Sequence, residues 1–328
     1  MSGPIMNLAS PLADGITQFI SYRRALGRRY DNEAWSLRLL DRYLVAGGAQ
    51  GIGEITPAVI EAFLASRPRP RARSYNLLLG IVRNLFRWMV ARQMIGHSPV
   101  QARPRRETET RIPCLFQADQ ARRLLQLADG LPDSRSTRLR GLTYRMVFGV
   151  LFGLGLRAGE VLRLCVGDVD MDRNLLLIRE TKFRKSRLVP YGPVLAERLR
   201  RYLELRRLRV PGLSATDPLF SVQSNGAIAR TTLGRTFHAL VNQIELDSRP
   251  GTARPRIHGL RHSFAVGTLL RWYREGLDPS QRLLHLSTFL GHVQSESTAV
   301  YLTITEGLLA EAATRFERYA QSGRGVTP

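Results

Sequence analysis

Apolar side chains recur at three- and four-residue intervals through residues 12–27, 31–46, 56–65 and 74–94, with Gly or Pro between several of these stretches. That is the period of a helix with one buried face, so the first third of the chain predicts a small all-helical unit. In its last stretch the pattern places Leu77, Ile81, Leu85 and Trp88 on the apolar face and Arg83, Arg87 and Arg92 elsewhere. Residues 98–115, rich in Pro and charge, lose the pattern and read as an interdomain linker, centred on 104–112. Helical spacing returns over 118–128 and about 138–152. It then gives way in RNLLLIRETKFRKSRLVPYG to an apolar run, a charged turn and a second short apolar run, which predicts a β-hairpin. Helices resume over 193–208 and 230–245, dominate from 259, and end in an amphipathic stretch, 306–320, with Leu308, Leu309, Ala312, Phe316 and Tyr319 on one side. The fold class expected is mainly α with a small β-sheet: a helical domain over 1–103 and an α+β domain over 113–328.

Charge sets the chain apart from an ordinary globular protein. Its 328 residues are 44% hydrophobic, enough for one large or two moderate cores, yet the net charge is +22. Both the part before residue 104 and the part after it are basic, and such an excess calls for a polyanionic partner. The sequence has no apolar run near 18 residues, no secretory signal and no lipidation motif, which puts nucleic acid ahead of an anionic membrane. Two basic domains on a short linker suit a clamp that closes on a duplex from opposite sides. The only cysteines, Cys114 and Cys165, offer neither a disulfide framework nor a structural zinc site, and fit a reducing cytoplasm.

The chain uses Arg for every strongly basic position except Lys182 and Lys185, three apart in the expected hairpin. An ammonium can release a proton and a guanidinium effectively cannot, so this segment is a candidate proton donor; the alternative is a solvated turn. Four further fragments stand out: GLGLRAGEVLRL with Arg157, HGLRHSF with His258 and Arg261, FLGHV with His292, and STAVYL with Tyr301. Each alone has an ordinary reading, as a chance His–Arg pair, a helix end or a core tyrosine. Together they place four of the six histidines between 258 and 292 and run in the order Arg, Lys, His, Arg, His, Tyr.

In that order the chain resembles the tyrosine recombinases, the integrase and Xer-like group of site-specific DNA recombinases. GLRAGEVLRL, the hairpin TKFRKSRLVPYG, HGLRHSFA, and LGH followed nine residues later by Tyr look like that family's motifs in their usual sequence. The likeness spans most of 113–304. The helix ending in LFRWMVARQMIGHSP looks like the last helix of the family's SAM-like core-binding domain.

The resemblance implies roles for residues at matching positions. Arg157 and Arg261 would clamp the nonbridging oxygens of the scissile phosphate. Lys182 would protonate the leaving 5′ oxygen, His258 would assist proton transfer, His292 would donate to the phosphate, and Tyr301 would be the nucleophile that takes the 3′ phosphate covalently. Glu160 would orient an active-site Arg, with solvation of a helix surface as the equal alternative. Arg69, Arg71, Arg73, Arg83 and Arg87 in the first domain, and Arg184, Lys185 and Arg187 in the hairpin, are candidate DNA contacts. Neither a metal nor another cofactor is implied, and no cluster of Asp and Glu suited to magnesium lies near the motifs. The partners implied are a double-stranded DNA site and three further copies of the chain in a tetramer, with strand exchange through a Holliday junction and the C-terminal helix reaching a neighbour.

Two departures from the family pattern matter. The spacing from Arg261 to His292 is long, with RWYREGLDPS as the extra material, which makes His285 a competitor for the position of His292. Only about a dozen residues precede the first helix, so no arm-binding domain of the larger phage integrases is expected. The wording near Tyr301 leans toward recombinases carried by transposons, some of which act with partner recombinases. A type IB topoisomerase and a DNA-binding protein that does not cut are the alternatives.

Overall fold

The structure, a computed structural model of the chain, describes residues 7–107, 112–179, 186–223, 226–246, 252–291 and 301. Lys182, Arg184, Lys185 and His292, with the hairpin tip and the expected helix over 306–320, lie outside the described residues. The chain divides into two compact units, residues 1–110 and 111–328. Among the described residues no helix is long and apolar enough to cross a membrane.

The first unit is built on four helices, α1 (Ala13–Ala25), α2 (Asp31–Ala46), α3 (Pro57–Ala65) and α4 (Ala72–Ala91). Helix α3 starts as its sequence directs: Thr56 caps it by accepting from the Val59 amide, and Pro57 supplies a preset φ where no amide proton is needed. Helix α4 packs against the other three and buries Leu78, Val82, Leu85, Phe86 and Met89. Its apolar face is therefore turned from the one expected, since Leu77 is 64% exposed and Trp88 only half-buried. The expected linker also begins later than 98. Residues 98–105 lie along α4, where the Arg83 guanidinium donates to the Ala102 carbonyl at 2.6 Å and Asn76 exchanges two hydrogen bonds with the Arg105 backbone.

The second unit contains α5 (Ala118–Asp129), α6 (Arg140–Leu154), the short α7 (Ala158–Val161), β1 (Val169–Asp170), β2 (Leu175–Ile178), β3 (Arg187–Pro190), α8 (Pro193–Arg209), α9 (Arg230–Val241), α10 (Ile257–Arg274) and α11 (Pro279–Leu290). Helix α6 is apolar nearly all round and correspondingly buried, with Tyr144, Val147, Phe148, Val150 and Leu151 at its centre. Each such side chain contributes about 1.5–3 kcal/mol when fully withdrawn from water. The strands form one antiparallel sheet in the order β1-β2-β3, with Leu176 opposite Val189 and Ile178 opposite Arg187. Alternation is clean: Leu176, Ile178 and Val189 are buried while Leu188 faces water. Residues 112–116 belong to this unit, since Ile112 bridges to Thr252 and the Phe116 amide donates to Ser263 Oγ at 2.7 Å.

Most of RWYREGLDPS finishes α10 and starts α11. Arg271–Arg274 complete the first helix, Gly276 turns with φ of 75°, and Asp278 caps the second by accepting from the Ser280 amide, with Pro279 next.

Candidate active site

Three helix ends converge in the second unit: the exit of α6, the start of α10 and the C-terminal end of α11. Gly155 closes α6 in the left-handed region, φ 60°, with the Phe264 ring where a Cβ would stand, so only glycine fits without displacement. Its carbonyl accepts from Arg261 Nη1 at 2.7 Å, while Arg261 Nη2 donates to the Leu290 carbonyl at 2.8 Å. Arg261 is 1% exposed, and its Nε has no partner among the described residues.

Arg157 stands two residues beyond Gly155, just ahead of α7. Its Nη2 donates to the Gly291 carbonyl at 2.9 Å and its Nη1 to Glu160 Oε1 at 2.8 Å. Arg187, which opens β3, donates through Nε to the Phe289 carbonyl at 2.9 Å and through both terminal nitrogens to Glu160, at 3.1 and 3.0 Å. The carbonyls at the end of α11 lack intrahelical partners and carry the negative end of the helix dipole, so they suit a ring of guanidinium groups.

Glu160 lies between Arg157 and Arg187. Burial would raise its carboxyl, but hydrogen bonds from Arg187 and Arg157 outweigh that and hold it at about 2. Two arginines thus share one carboxylate and Arg261 stands close to it, which leaves a local excess of positive charge beside a cleft of about 550 Å³ that Arg157, Arg230, Arg256 and His258 help to line. A larger hollow of about 850 Å³, between α5, α6 and α8, holds none of these groups.

His258 and His262 share one face of α10, their rings 4.5 Å apart and nearly perpendicular. The His258 ring is open to the cleft; partial burial, then Arg261, Arg157 and Arg230, hold it down at about 4. Tyr301, 4% exposed, packs with Ala265, Leu269, Leu286 and Leu290. Its hydroxyl lies 3.0 Å from His262 Nδ1. Burial raises its phenol, and the nearby Arg261 and Arg157 oppose the shift without cancelling it.

The structure therefore brings Arg157, Glu160, His258, Arg261 and Tyr301 together. Arg187 departs from the DNA contact expected of it: its side chain is 12% exposed and spent on Glu160 and Phe289, because β2–β3 pairing carries it under the end of α11. His285 is exposed on α11. In the first unit Arg71, Arg73 and Arg87 are exposed, whereas Arg69 and Arg83 are half-buried. The sequence pattern assigns no role to His262, although its place four residues after His258 is the available signal. Among the described residues, no three His, Cys, Asp or Glu gather as a metal site.

Comparison with known proteins shows which family and fold the chain shares. The model of the phage integrase family matches residues 115–307. A Sinorhizobium fredii protein that carries the name integrase/recombinase y4rB is 37% identical over 94% of this chain and 98% of its own length. The tyrosine recombinase XerC of Mesorhizobium japonicum is 29% identical over 81% of this chain and 80% of its own. Among solved structures, the Tn1549 transposon integrase in complex with a circular intermediate DNA has a TM-score of 0.65 at 16% identity, covering 95% of this chain and 100% of that one. XerH bound to palindromic difH substrate has a TM-score of 0.64 at 18% identity, covering 97% and 100%. With its mainly helical fold and small sheet, and with the family model matched across the residues that build the site, this chain belongs to the phage integrase family of tyrosine recombinases, enzymes that transfer DNA strands.

Proposed function

We propose that the protein cuts and rejoins double-stranded DNA at a specific site through a covalent 3′-phosphotyrosine at Tyr301. The observation that carries this reading is the placement of the Tyr301 hydroxyl, 3.0 Å from an imidazole nitrogen, beside Arg261 in a site with more guanidinium groups than carboxylates. A phosphodiester is the anion that suits such a site. Arg157 and Arg261 would hold its nonbridging oxygens, whose charge grows as a fifth oxygen approaches phosphorus, and preorganised donors there lower the barrier by several kcal/mol. Glu160 and Arg187 would keep Arg157 in place.

Lys182 is assigned the protonation of the departing 5′ oxygen and His292 a hydrogen bond to the phosphate. The bond energy is stored in the phosphotyrosine, so the strand can be rejoined without a nucleotide, and no metal is assigned. XerH and the Tn1549 integrase are described bound to DNA, which supports a duplex site as the partner. Assembly as a tetramer, strand exchange through a Holliday junction and a C-terminal helix passed to a neighbour complete the proposal.

The test is to incubate the protein with fragmented DNA from its own genetic neighbourhood, denature in detergent, and sequence what stays attached. Discrete 3′ ends that vanish with Tyr301→Phe are expected. Attachment that persists in that variant, or relaxation of plasmid with no site requirement, would overturn the reading.

A further inference from the structure

We infer that His262 takes the proton from Tyr301 as that residue attacks the phosphate, and returns it when the strand is rejoined. The inference rests on the reading of Tyr301 as the nucleophile and adds a catalytic residue to it.

Contact and direction both favour this role. His262 Nδ1 is 3.0 Å from Tyr301 Oη, within reach of direct proton transfer, and the two rings meet edge-on with centroids 5.4 Å apart. The Arg261 guanidinium lies near the same phenol and opposes the rise that burial gives it. A guanidinium has only donors, so it cannot take the hydroxyl proton. His262 is there to accept it. Burial, the neighbouring His258 and Arg261 hold His262 at about 4, so the imidazole is neutral near pH 7 and has a lone pair to offer.

The groups that face this pair are His258 and Arg261 on α10, Arg157 and Arg230 around His258, and Tyr301 itself. In the free protein, the positive ones oppose an imidazolium. A phosphodiester anion between Arg157 and Arg261 offsets that charge, so His262 gains basicity when DNA occupies the site. The base is thereby coupled to substrate, and the free enzyme keeps its tyrosine protonated.

The step balances. As the Oη–phosphorus bond forms, the phenol proton passes to His262 Nδ1 and the bond from phosphorus to the 5′ oxygen breaks, that oxygen taking a proton from the general acid. In rejoining, the 5′ hydroxyl attacks phosphorus, gives its proton back to the acid, and Tyr301 leaves with the proton held on His262. No oxidant, metal or nucleotide enters. His258, one turn earlier on the same helix, meets the His262 ring edge-on and so limits its orientation.

The experiment uses the full chain and a nicked duplex carrying the site recovered by covalent trapping, so that attachment is irreversible and its first turnover can be timed. His262→Ala should bind this duplex as wild type does and attach at least about 100-fold more slowly, the typical contribution of a positioned base. Free imidazole should restore part of the rate. The residual rate should climb with pH between 7 and 9, as phenolate is supplied by solvent, where the wild-type rate is flat. His262→Ala attaching within threefold of wild type would overturn the inference, as would a slow rate with no imidazole response and an unchanged pH profile.

A second arm needs no DNA and no His262 variant. In ¹⁵N-histidine spectra His262 Nδ1 should show the shift of a hydrogen-bonded acceptor and lose it in Tyr301→Phe; an unchanged Nδ1 would overturn the contact. Wild-type protein that attaches no DNA would overturn the nucleophile reading, and with it this role, while the spectra would still report whether the pair exists.

Discussion

Glu160→Gln is the substitution for which the structure supplies a magnitude. The amide keeps the shape of the carboxyl and can still accept the Arg157 backbone proton, now made at 2.9 Å, but it cannot balance two guanidinium groups. Glu160 is held at about 2 against an ordinary 4.5, and at 1.36 kcal/mol per unit that difference corresponds to roughly 3 kcal/mol of stability at pH 7. The side chain is only 2% exposed, so solvent screening takes little from this figure. Loss of a partner from a buried ion pair costs on the order of 3–5 kcal/mol in general, which is consistent.

For a unit of this size each kcal/mol moves the unfolding midpoint by about 2–4 °C, so the variant should unfold roughly 6–12 °C below wild type. The sign with pH is fixed by the direction of the shift. A depressed carboxyl contributes fully above the unfolded value of 4.5 and loses its contribution as pH falls toward 2, so the gap should narrow by on the order of 1 kcal/mol between pH 7 and pH 3.5. Thermal unfolding followed by circular dichroism at both pH values reads this out. A variant within about 1 kcal/mol of wild type at pH 7, or a gap that widens on acidification, would refute the reasoning.

Three further outcomes are expected. Tyr301→Phe should abolish covalent attachment while leaving the gel-shift affinity for the site within a few-fold, because one hydroxyl adds little to many phosphate contacts. Lys182→Arg should bind and cut poorly, since the guanidinium keeps its proton; a nicked duplex whose leaving 5′ atom is sulfur, which needs no protonation, should recover most of the rate. Gly155→Ala should cost about 2–4 kcal/mol, from a left-handed φ of 60° and from a methyl driven into Phe264, and is checked by a lower thermal midpoint in wild-type buffer.

Several parts of the site are legible in the sequence because they are local. Arg157 and Glu160 stand three apart, as do His258 and Arg261, and helical spacing brings such neighbours together wherever the helix lies. The two helical stretches of the first unit that bracket RPRPRARS and the strands β2 and β3 of the hairpin are likewise written in short-range pattern. Errors of phase follow from the same source: the period marks a face only to within a residue, so it points to Leu77 where Leu78 is the buried side chain.

By itself, then, the sequence determined the elements, the charge that demands a polyanion, and the order of motif residues from Arg157 to Tyr301. Only the tertiary structure decided how distant pieces meet. The bond from Arg157 to the Gly291 carbonyl spans 134 residues, Arg187 reaches Glu160 across 27, and His262 meets Tyr301 across 39. Those partners depend on which helix ends pack together and on the register of β2 with β3, and the free energy that selects such packing is spread over the whole core rather than written at the residues it joins.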